Sequence, residues 1–521
     1  MMKKWILAAM IGVTGVAACA VNPVTGKRHF QVYGAEWEQK VGAAMYAPMK
    51  QSQGGEFILD PELTRYIQSV GKQLADRARR KDQLDFEFSI LNDSSPNAWA
   101  LPGGKIVINR GLLMELDSEA ELAAVLGHEI VHADAAHGAR AQSKGMLTQI
   151  GAVVSRVILG SVDSKTTREV ALMVPALGAQ LLTQKYSRDA ELEADEYGML
   201  YMSEAGYNPL GAVELQEAFV ELSKSRNENW MSGLFASHPP SRERLERNQK
   251  MARELPEQDN FGRARYAQRT QFLRRVQPAY DAFDEANKAL SNDKLERAQD
   301  KLNEAMAIEP RESLFHSLQG DIHALHKKPE QALASYQKAI NTNPDFFYAY
   351  LRKGQVEYNQ DKPQAARSDL AKSVALMPTA EAHYLLGKMD KDEGSLDSAI
   401  DHFRIAAQSD SESGQKANRE LLIQDLANNP SRYVGSRAEI DAHNMIWFRL
   451  ENLTRVSMKD IEISYVWLDE QGQTHQGKMS YRGPLKGGKH DRVTTGIKME
   501  NASDLERRIH VQITAASVAG N

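Results

Sequence analysis

SEAELAAVLGHEIVH, Ser118 to His132, decides how the first half of the chain is read. Ser118 followed three residues later by Glu121 is a capping box, in which hydroxyl and carboxylate each satisfy a backbone N–H that the first turn leaves unpaired. Leu122, Val125, Leu126 and Ile130 then recur at helical spacing, so the stretch is predicted to be a helix. His128 and His132 are four apart and share a face. Two imidazoles can therefore meet one ion, with Glu129 beside them near a bound water. Zinc is usually four-coordinate, and a catalytic site takes three protein ligands and leaves a position for water. A third ligand is needed, because HExxH by itself occurs by chance in many helical proteins.

YSRDAELEADEYG (Tyr186–Gly198) supplies it. Glu191 and Asp195 are also four apart, on one face of a second predicted helix. Packed across the first, that helix would bring Glu191 to the metal and leave Asp195 to hydrogen-bond a ligand histidine. HExxH followed by ExxxD on a later helix resembles the gluzincin metallopeptidase family of HtpX, BepA and the type I CAAX prenyl protease. Three other stretches resemble it too. NAWALPGGKIVINRGLL (Asn97–Leu113) is similar to the family's edge strand beside the active site. SHPPSRERLER (Ser237–Arg247) is similar to its downstream His-Pro segment, and NPVTGKRHF (Asn22–Phe30) to its lipoprotein members. The resemblance implies that His128, His132 and Glu191 are zinc ligands, Glu129 the general base and Asp195 the partner of a ligand histidine. Glu193 is the rival ligand if the helix phase differs. His238 is implied to lie in the cleft, able to take the open zinc position, and Arg244 to steady the substrate or the oxyanion. His238 also precedes Pro239-Pro240, where it could simply cap a loop; His137 is read as structural. The Pro-Gly-Gly turn before Ile106-Val107-Ile108 predicts a strand, expected to pair with an extended peptide substrate.

The start of the chain bears on location. MMKKWILAAMIGVTGVAAC has basic residues at Lys3 and Lys4, a short apolar run and then small residues, the pattern of a secretory signal. Val16-Ala17-Ala18-Cys19 resembles a bacterial lipobox, which implies lipidation of Cys19, the only cysteine. Ala20 after it, by resemblance to bacterial lipoproteins, favours the outer membrane. With that thiol used as an anchor, no internal disulfide is expected. Net charge is −5 and the pI about 6.3, which argues against a general nucleic-acid binder. The apolar stretch over 145–182 is interrupted by Arg156, Ser161 and Pro175 and is too short to span a bilayer. It reads as core helix or as a flap over the cleft. The type I CAAX protease is a multispanning membrane enzyme, so prenylated substrates are not expected here.

From about Tyr280 a repeat takes over. Pro310, Pro344 and Pro378 are spaced by 34 residues, as are Ala298, Ala332 and Ala366, and Gly320 and Gly354. A fourth unit follows one residue short at Gly387, Ala399, Phe403 and Ala406. Ala286 takes the glycine's place in the first unit, as a cap would. A period of 34 with small residues at helix contacts is the tetratricopeptide signature. After about Asn428, MIWFRLENL, IEISYVWLD and IHVQITAAS separated by turn residues predict a β-sandwich.

The chain is thus read as multidomain. A signal peptide (1–18) precedes a mainly α zinc metallopeptidase domain with a small β-sheet (19–260). An α-solenoid of tetratricopeptide repeats (275–412) and a C-terminal β-sandwich (430–521) follow. The expected function is zinc-dependent cleavage of misfolded or stalled cell-envelope proteins at the periplasmic face of the outer membrane. The repeats would recruit substrate or outer-membrane assembly machinery. The alternative is an envelope assembly scaffold acting through its repeats with little proteolysis.

Overall fold

The computed structural model describes residues 19–143, 186–224, 233–454, 456–469, 471–499 and 505–519. The signal segment 1–18 and the apolar stretch 145–182 lie outside these residues. The chain divides into two compact units, Met1–Pro378 and Thr379–Asn521.

The first unit begins with an antiparallel hairpin, β1 (Cys19–Val21) and β2 (Arg28–Phe30), followed by helices α1 (Ala35–Ser52) and α2 (Pro61–Ala75). Asp60 caps α2 by accepting from Leu63 N at 3.0 Å, and Pro61 occupies the first turn, where its missing N–H costs nothing. Next comes a three-stranded sheet of β3 (Glu87–Leu91), β4 (Ala98–Leu101) and β5 (Lys105–Asn109), in the order β3–β5–β4. β5 runs parallel to β3 and antiparallel to β4, and all five of its residues are buried. This corrects the expectation for the strand at Ile106. It lies in the middle of the sheet with both edges paired and cannot take up a peptide; the edge strands are β3 and β4, the latter from the NAWAL stretch. Short α3 (Arg110–Glu115) leads into α4 (Glu119–Asp134), then α5 (Arg188–Glu204), α6 (Leu210–Lys224), α7 (Leu234–Ser237), α8 (Arg242–Glu254) and α9 (Arg263–Arg269).

Three helix pairs of the repeat complete this unit: α10 (Gln271–Leu290) with α11 (Leu295–Ile308), α12 (Ser313–Leu325) with α13 (Pro329–Thr342), and α14 (Phe347–Asn359) with α15 (Pro363–Leu376). The 34-residue period has a packing cause. A Cβ on Gly320 would meet the Tyr336 ring at 2.4 Å, and one on Gly354 would meet Leu370 at 2.8 Å. In each pair a glycine on the first helix admits a large side chain sixteen residues later on the second. Ala286 faces Leu302 at the same spacing, both fully buried. The turn between paired helices repeats as well, since Asp293, Lys327 and Asp361 all have φ near +55° to +58°.

One hydrophobic core runs from Val24 to Ile322, across the stretch between 260 and 275. Arg110 lies in it, 1% exposed, with its guanidinium 3.5 Å from the centre of the Tyr280 ring on α10. Arg110 Nε donates to Asn92 Oδ1 at 2.9 Å, and the Tyr280 hydroxyl donates to Glu312, the cap of α12.

The second unit holds a fourth helix pair, α16 (Ala380–Asp392) and α17 (Leu396–Ala406), and then α18 (Glu412–Asn428). Gly387 faces Phe403 across the pair at 2.8 Å from a built Cβ, the sixteen-residue relation again. The strands β6 (Val434–Ile440), β7 (Met445–Asn452), β8 (Met458–Leu468), β9 (Thr474–Tyr481), β10 (His490–Lys498) and β11 (Ile509–Val518) form two sheets, β10–β7–β6 and β11–β8–β9. Ile446, Phe448 and Leu450 alternate inward on one sheet, and Ile461, Ile463 and Tyr465 on the other, as a two-sheet core requires. Among the described residues, no helix is long and apolar enough to cross a membrane.

Candidate metal centre

Two helices build the site, and both are anchored at their ends. Ser118 Oγ accepts from Glu121 N (3.1 Å) at the start of α4, while Glu121 Oε2 accepts from Asp117 N (2.7 Å). At the far end the Asp134 carboxylate accepts from Arg79 N and Arg80 N, both at 2.8 Å, and from the Tyr201 hydroxyl of α5 at 2.7 Å. Ser187 caps α5 by accepting from Ala190 N. Between these anchors the helices touch backbone to backbone at two glycines. A Cβ on Gly198 would lie 3.0 Å from His128 N, and one on Gly127 would lie 3.0 Å from Gly198 O. No larger residue fits this crossing without parting the helices, so the contact sets how near Glu191 comes to the two histidines.

His128, His132, Glu191 and His238 each offer one ligand atom to a cluster in which all four atoms lie within 4.8 Å of one another. His132 Nε2 is 3.0 Å from His128 Nε2 and 3.3 Å from Glu191 Oε1. His238 Nδ1 is 3.1 Å from Glu191 Oε1 and 3.2 Å from His128 Nε2, while its Nε2 is 3.5 Å from Glu129 Oε1. His238 also ends α7, so the loop-cap reading and a place in the cluster hold together.

The fit to a metal can be tested on protons. His128 Nδ1 donates to Asp195 Oδ1 at 2.9 Å, because a carboxylate can only accept. Arg244 keeps Asp195 ionised. Burial raises the Asp195 carboxyl, but the Arg244 charge and hydrogen bond outweigh it and hold the pKa below the usual range. The neutral His128 ring then turns a lone pair on Nε2 into the cluster, facing a second imidazole nitrogen and a carboxylate. Burial likewise raises the Glu191 carboxyl, but it comes out well below the usual range, with the charge of His238 the largest opposing influence. Glu129 Oε2 and Glu191 Oε2 are buried and accept no hydrogen bond. Lone pairs and anionic oxygens gathered this closely are what a divalent cation satisfies.

Arg244 does not point into open space. Its Nε and NH2 donate to Asp195 at 2.6 and 2.7 Å, and its NH1 donates to Pro239 O at 3.2 Å. NH1 is also 2.9 Å from Glu191 Oε2, out of line for a hydrogen bond. The guanidinium is thus aimed at Glu191 and Asp195. Glu193 stands outside the cluster, where its Oε1 accepts from His137 Nε2 at 3.3 Å. His137 Nδ1 is 2.9 Å from His132 Nδ1.

One neighbour was not singled out from sequence. The Tyr186 ring stacks on His132 with centroids 3.8 Å apart and planes 26° apart. Burial pushes its phenol pKa up, and Glu129 and Glu191 push it further. Its signal in the sequence is faint: it immediately precedes Ser187, the cap of the helix that carries Glu191.

A small cavity of about 40 Å³ adjoins His128, Glu129 and Arg244 and is walled by Val125, Leu215 and Phe219.

Known proteins resemble the stretch that carries this cluster. Residues 61–252 match the model of peptidase family M48, and residues 283–346 and 351–413 match a tetratricopeptide repeat model. The chain is 26% identical over 400 residues to the beta-barrel assembly-enhancing protease of Escherichia coli (strain K12), covering 67% of this chain and 81% of that one. It is 29% identical over 259 residues to the mitochondrial metalloendopeptidase OMA1 of Schizosaccharomyces pombe, covering 49% and 72%. It is 31% identical over 192 residues to the beta-barrel assembly-enhancing protease of Yersinia pestis, covering 36% and 38%.

Proposed function

We propose, for a chain that carries a peptidase family M48 domain followed by tetratricopeptide repeats, that it is a zinc endopeptidase of the bacterial cell envelope. It would cleave misfolded or stalled envelope proteins. The observation that carries this reading is the cluster of His128, His132, Glu191 and His238 beside the buried, unpartnered Glu129 oxygen. Similarity to the beta-barrel assembly-enhancing protease of Escherichia coli supports the envelope setting.

His128, His132 and Glu191 would hold the ion. When bound, zinc supplies a Lewis acid and lowers the pKa of a water toward about 7. Glu129 takes the proton of the attacking water and delivers it to the leaving amine. Asp195 holds the His128 ring in the tautomer that offers Nε2. Arg244 fixes Asp195 and Glu191 together, so its role is positioning, in place of the grip on substrate expected from sequence. His238, packed among Glu129, Glu191 and His128, occupies the place a water or carbonyl would take and keeps the resting site closed. An extended substrate pairs with β4, one of the two edge strands of the sheet. Backbone pairing of that kind implies loose sequence preference. The repeats recruit substrate or assembly machinery, and lipidated Cys19 tethers the protein to the periplasmic face of the outer membrane.

The test is cleavage of unfolded casein with zinc content measured on the same sample, for wild type and Glu129→Gln. Retained zinc with cleavage reduced by at least about 10²-fold is expected from loss of the general base. If Glu129→Gln replaces wild type fully in the cell's envelope-stress response, the repeats act as a scaffold and the protease reading falls.

A further inference from the structure

The NPVTGKRHF stretch reaches the metal cluster through hydrogen bonds. Asn22 follows β1 and is 2% exposed. Its Oδ1 accepts from Val24 N at 2.8 Å and Thr25 N at 3.1 Å, which closes the turn and fixes the amide's orientation. The other end, Nδ2, donates to Glu193 Oε1 on α5.

Proton bookkeeping then runs inward from Glu193. Its carboxylate can only accept, so the proton of a neutral His137 sits on Nε2, 3.3 Å away. His137 Nδ1 is therefore a lone pair. It lies 2.9 Å from His132 Nδ1, and the proton between the two rings must belong to His132. His132 is thus held as the Nδ1–H tautomer, with Nε2 turned as a lone pair toward His128 and Glu191. His128 is held in the same tautomer by Asp195, from the opposite side.

We propose that Asn22 and Glu193 are positioning residues of the metal site: through His137 they set the tautomer and ring plane of His132, so the hairpin Cys19–Phe30 helps determine metal affinity. The proposal rests on the zinc reading above but concerns residues that the ligand pattern leaves out. If the contact is only a packing contact for the hairpin, breaking it shifts stability and leaves affinity alone. If it orients His132, affinity follows the hydrogen bond.

Asn22→Asp separates these, because it keeps the oxygen that closes the turn and replaces the donor with a second carboxylate facing Glu193. Glu193→Gln leaves an amide that can present either end to His137. The double variant restores a match: the new amide donates to the new carboxylate and turns its oxygen to His137. The experiment measures zinc affinity of the full chain by competition with a chelator, with thermal unfolding of the metal-free protein alongside. Each single variant is expected to bind zinc about tenfold more weakly, the scale of losing an outer partner of a ligand histidine, and the double variant to recover most of that loss. Single variants within twofold of wild type would overturn the proposal, as would a loss that the double variant fails to recover. Histidine ¹⁵N spectra of the metal-free protein read the tautomer directly, with His132→Gln to assign the signal. A wild type that takes up no zinc but shows His132 as Nδ1–H would sink the zinc reading and leave the relay standing. A mixed tautomer in wild type would sink the relay.

Discussion

Replacing Gly198 with alanine should loosen the metal while leaving the fold intact. A Cβ there would sit 3.0 Å from His128 N, 3.1 Å from Gly127 C and 3.3 Å from His128 Cα. Carbon contacts are comfortable at roughly 3.5–4.0 Å, so the two helices must part by about 0.5 Å. Backbone atoms cannot rotate away as a side-chain tip can. Overpacking of this kind costs about 1–3 kcal/mol, while exchanging glycine for alanine inside a helix returns about 1 kcal/mol. Net destabilisation is thus at most about 2 kcal/mol. The ligands tolerate less, since ligand distances at a working metal site hold to about 0.2 Å. A shift of about 0.5 Å in α5 carries Glu191 away from His128 and His132. Zinc affinity should fall by at least tenfold, or about 1.4 kcal/mol. Chelator competition reads the affinity, and thermal unfolding of the metal-free chain reads the fold. Gly138→Ala is the control, because its Cβ would meet only Pro102 at 3.5 Å. Unchanged affinity in Gly198→Ala with an unchanged melting temperature would refute the claim that this crossing sets the site.

Further outcomes are expected from single changes. His238→Ala should raise basal cleavage of casein several-fold with zinc retained, as a closed resting site requires; lower activity with zinc intact would mean that His238 serves the reaction itself. Lys327→Gly should stabilise the unit Met1–Pro378, since Lys327 is exposed at φ +58° and the left-handed conformation costs a side chain about 1–2 kcal/mol. A gain of about 0.5–1 kcal/mol in denaturant unfolding is expected after glycine's entropy cost, and a loss would contradict the strain. His383, buried with its Nδ1 2.8 Å from His402 Nδ1, has its pKa pulled from 6.5 down to about 4, by burial first and then by His402. The unfolded chain binds that proton more readily, so the contribution is intact above pH 6.5 and is lost as pH falls through about 4. The loss amounts to at most about 3.5 kcal/mol at about 1.4 kcal/mol per pH unit. His383→Gln should flatten the stability of Thr379–Asn521 between pH 6.5 and 4, and an unaltered slope would refute the assignment.

What could be read from the sequence was whatever repeats or caps locally. The helix that carries the two histidines declares itself through Ser118, Glu121 and their four-residue spacing. The repeats do so because each glycine must face a bulky partner sixteen residues on. Strand order has no such local mark. The Ile106-Val107-Ile108 run reads as a strand open to an added peptide, yet its unbroken β-branched character suits a strand buried on both faces, which is what β5 is. Direction was also out of reach for Arg244, because spacing brings an arginine to the site without saying that its guanidinium turns toward Asp195 and Glu191. Glu191 and Glu193 lie about 200° apart around a helix with 3.6 residues per turn, so one can face the metal cluster only if the other faces away. That geometry makes Glu193 a poor rival ligand and a natural partner for the hairpin.

The buried Arg110 also bears on modularity. The sequence changes character between 260 and 275, and an engineer would cut there to isolate the peptidase. Such a cut removes Tyr280, whose ring covers the Arg110 guanidinium, and Tyr266 and Arg274, which donate to Leu113 O and Leu116 O. A cation sealed in an apolar interior would be left against a hole, a fault that costs several kcal/mol when its surroundings are stripped away. The excised peptidase should therefore come out aggregated or protease-sensitive. The first repeat behaves as part of the first domain's own wall, so the two are one piece for stability even though the sequence reads them as separate modules.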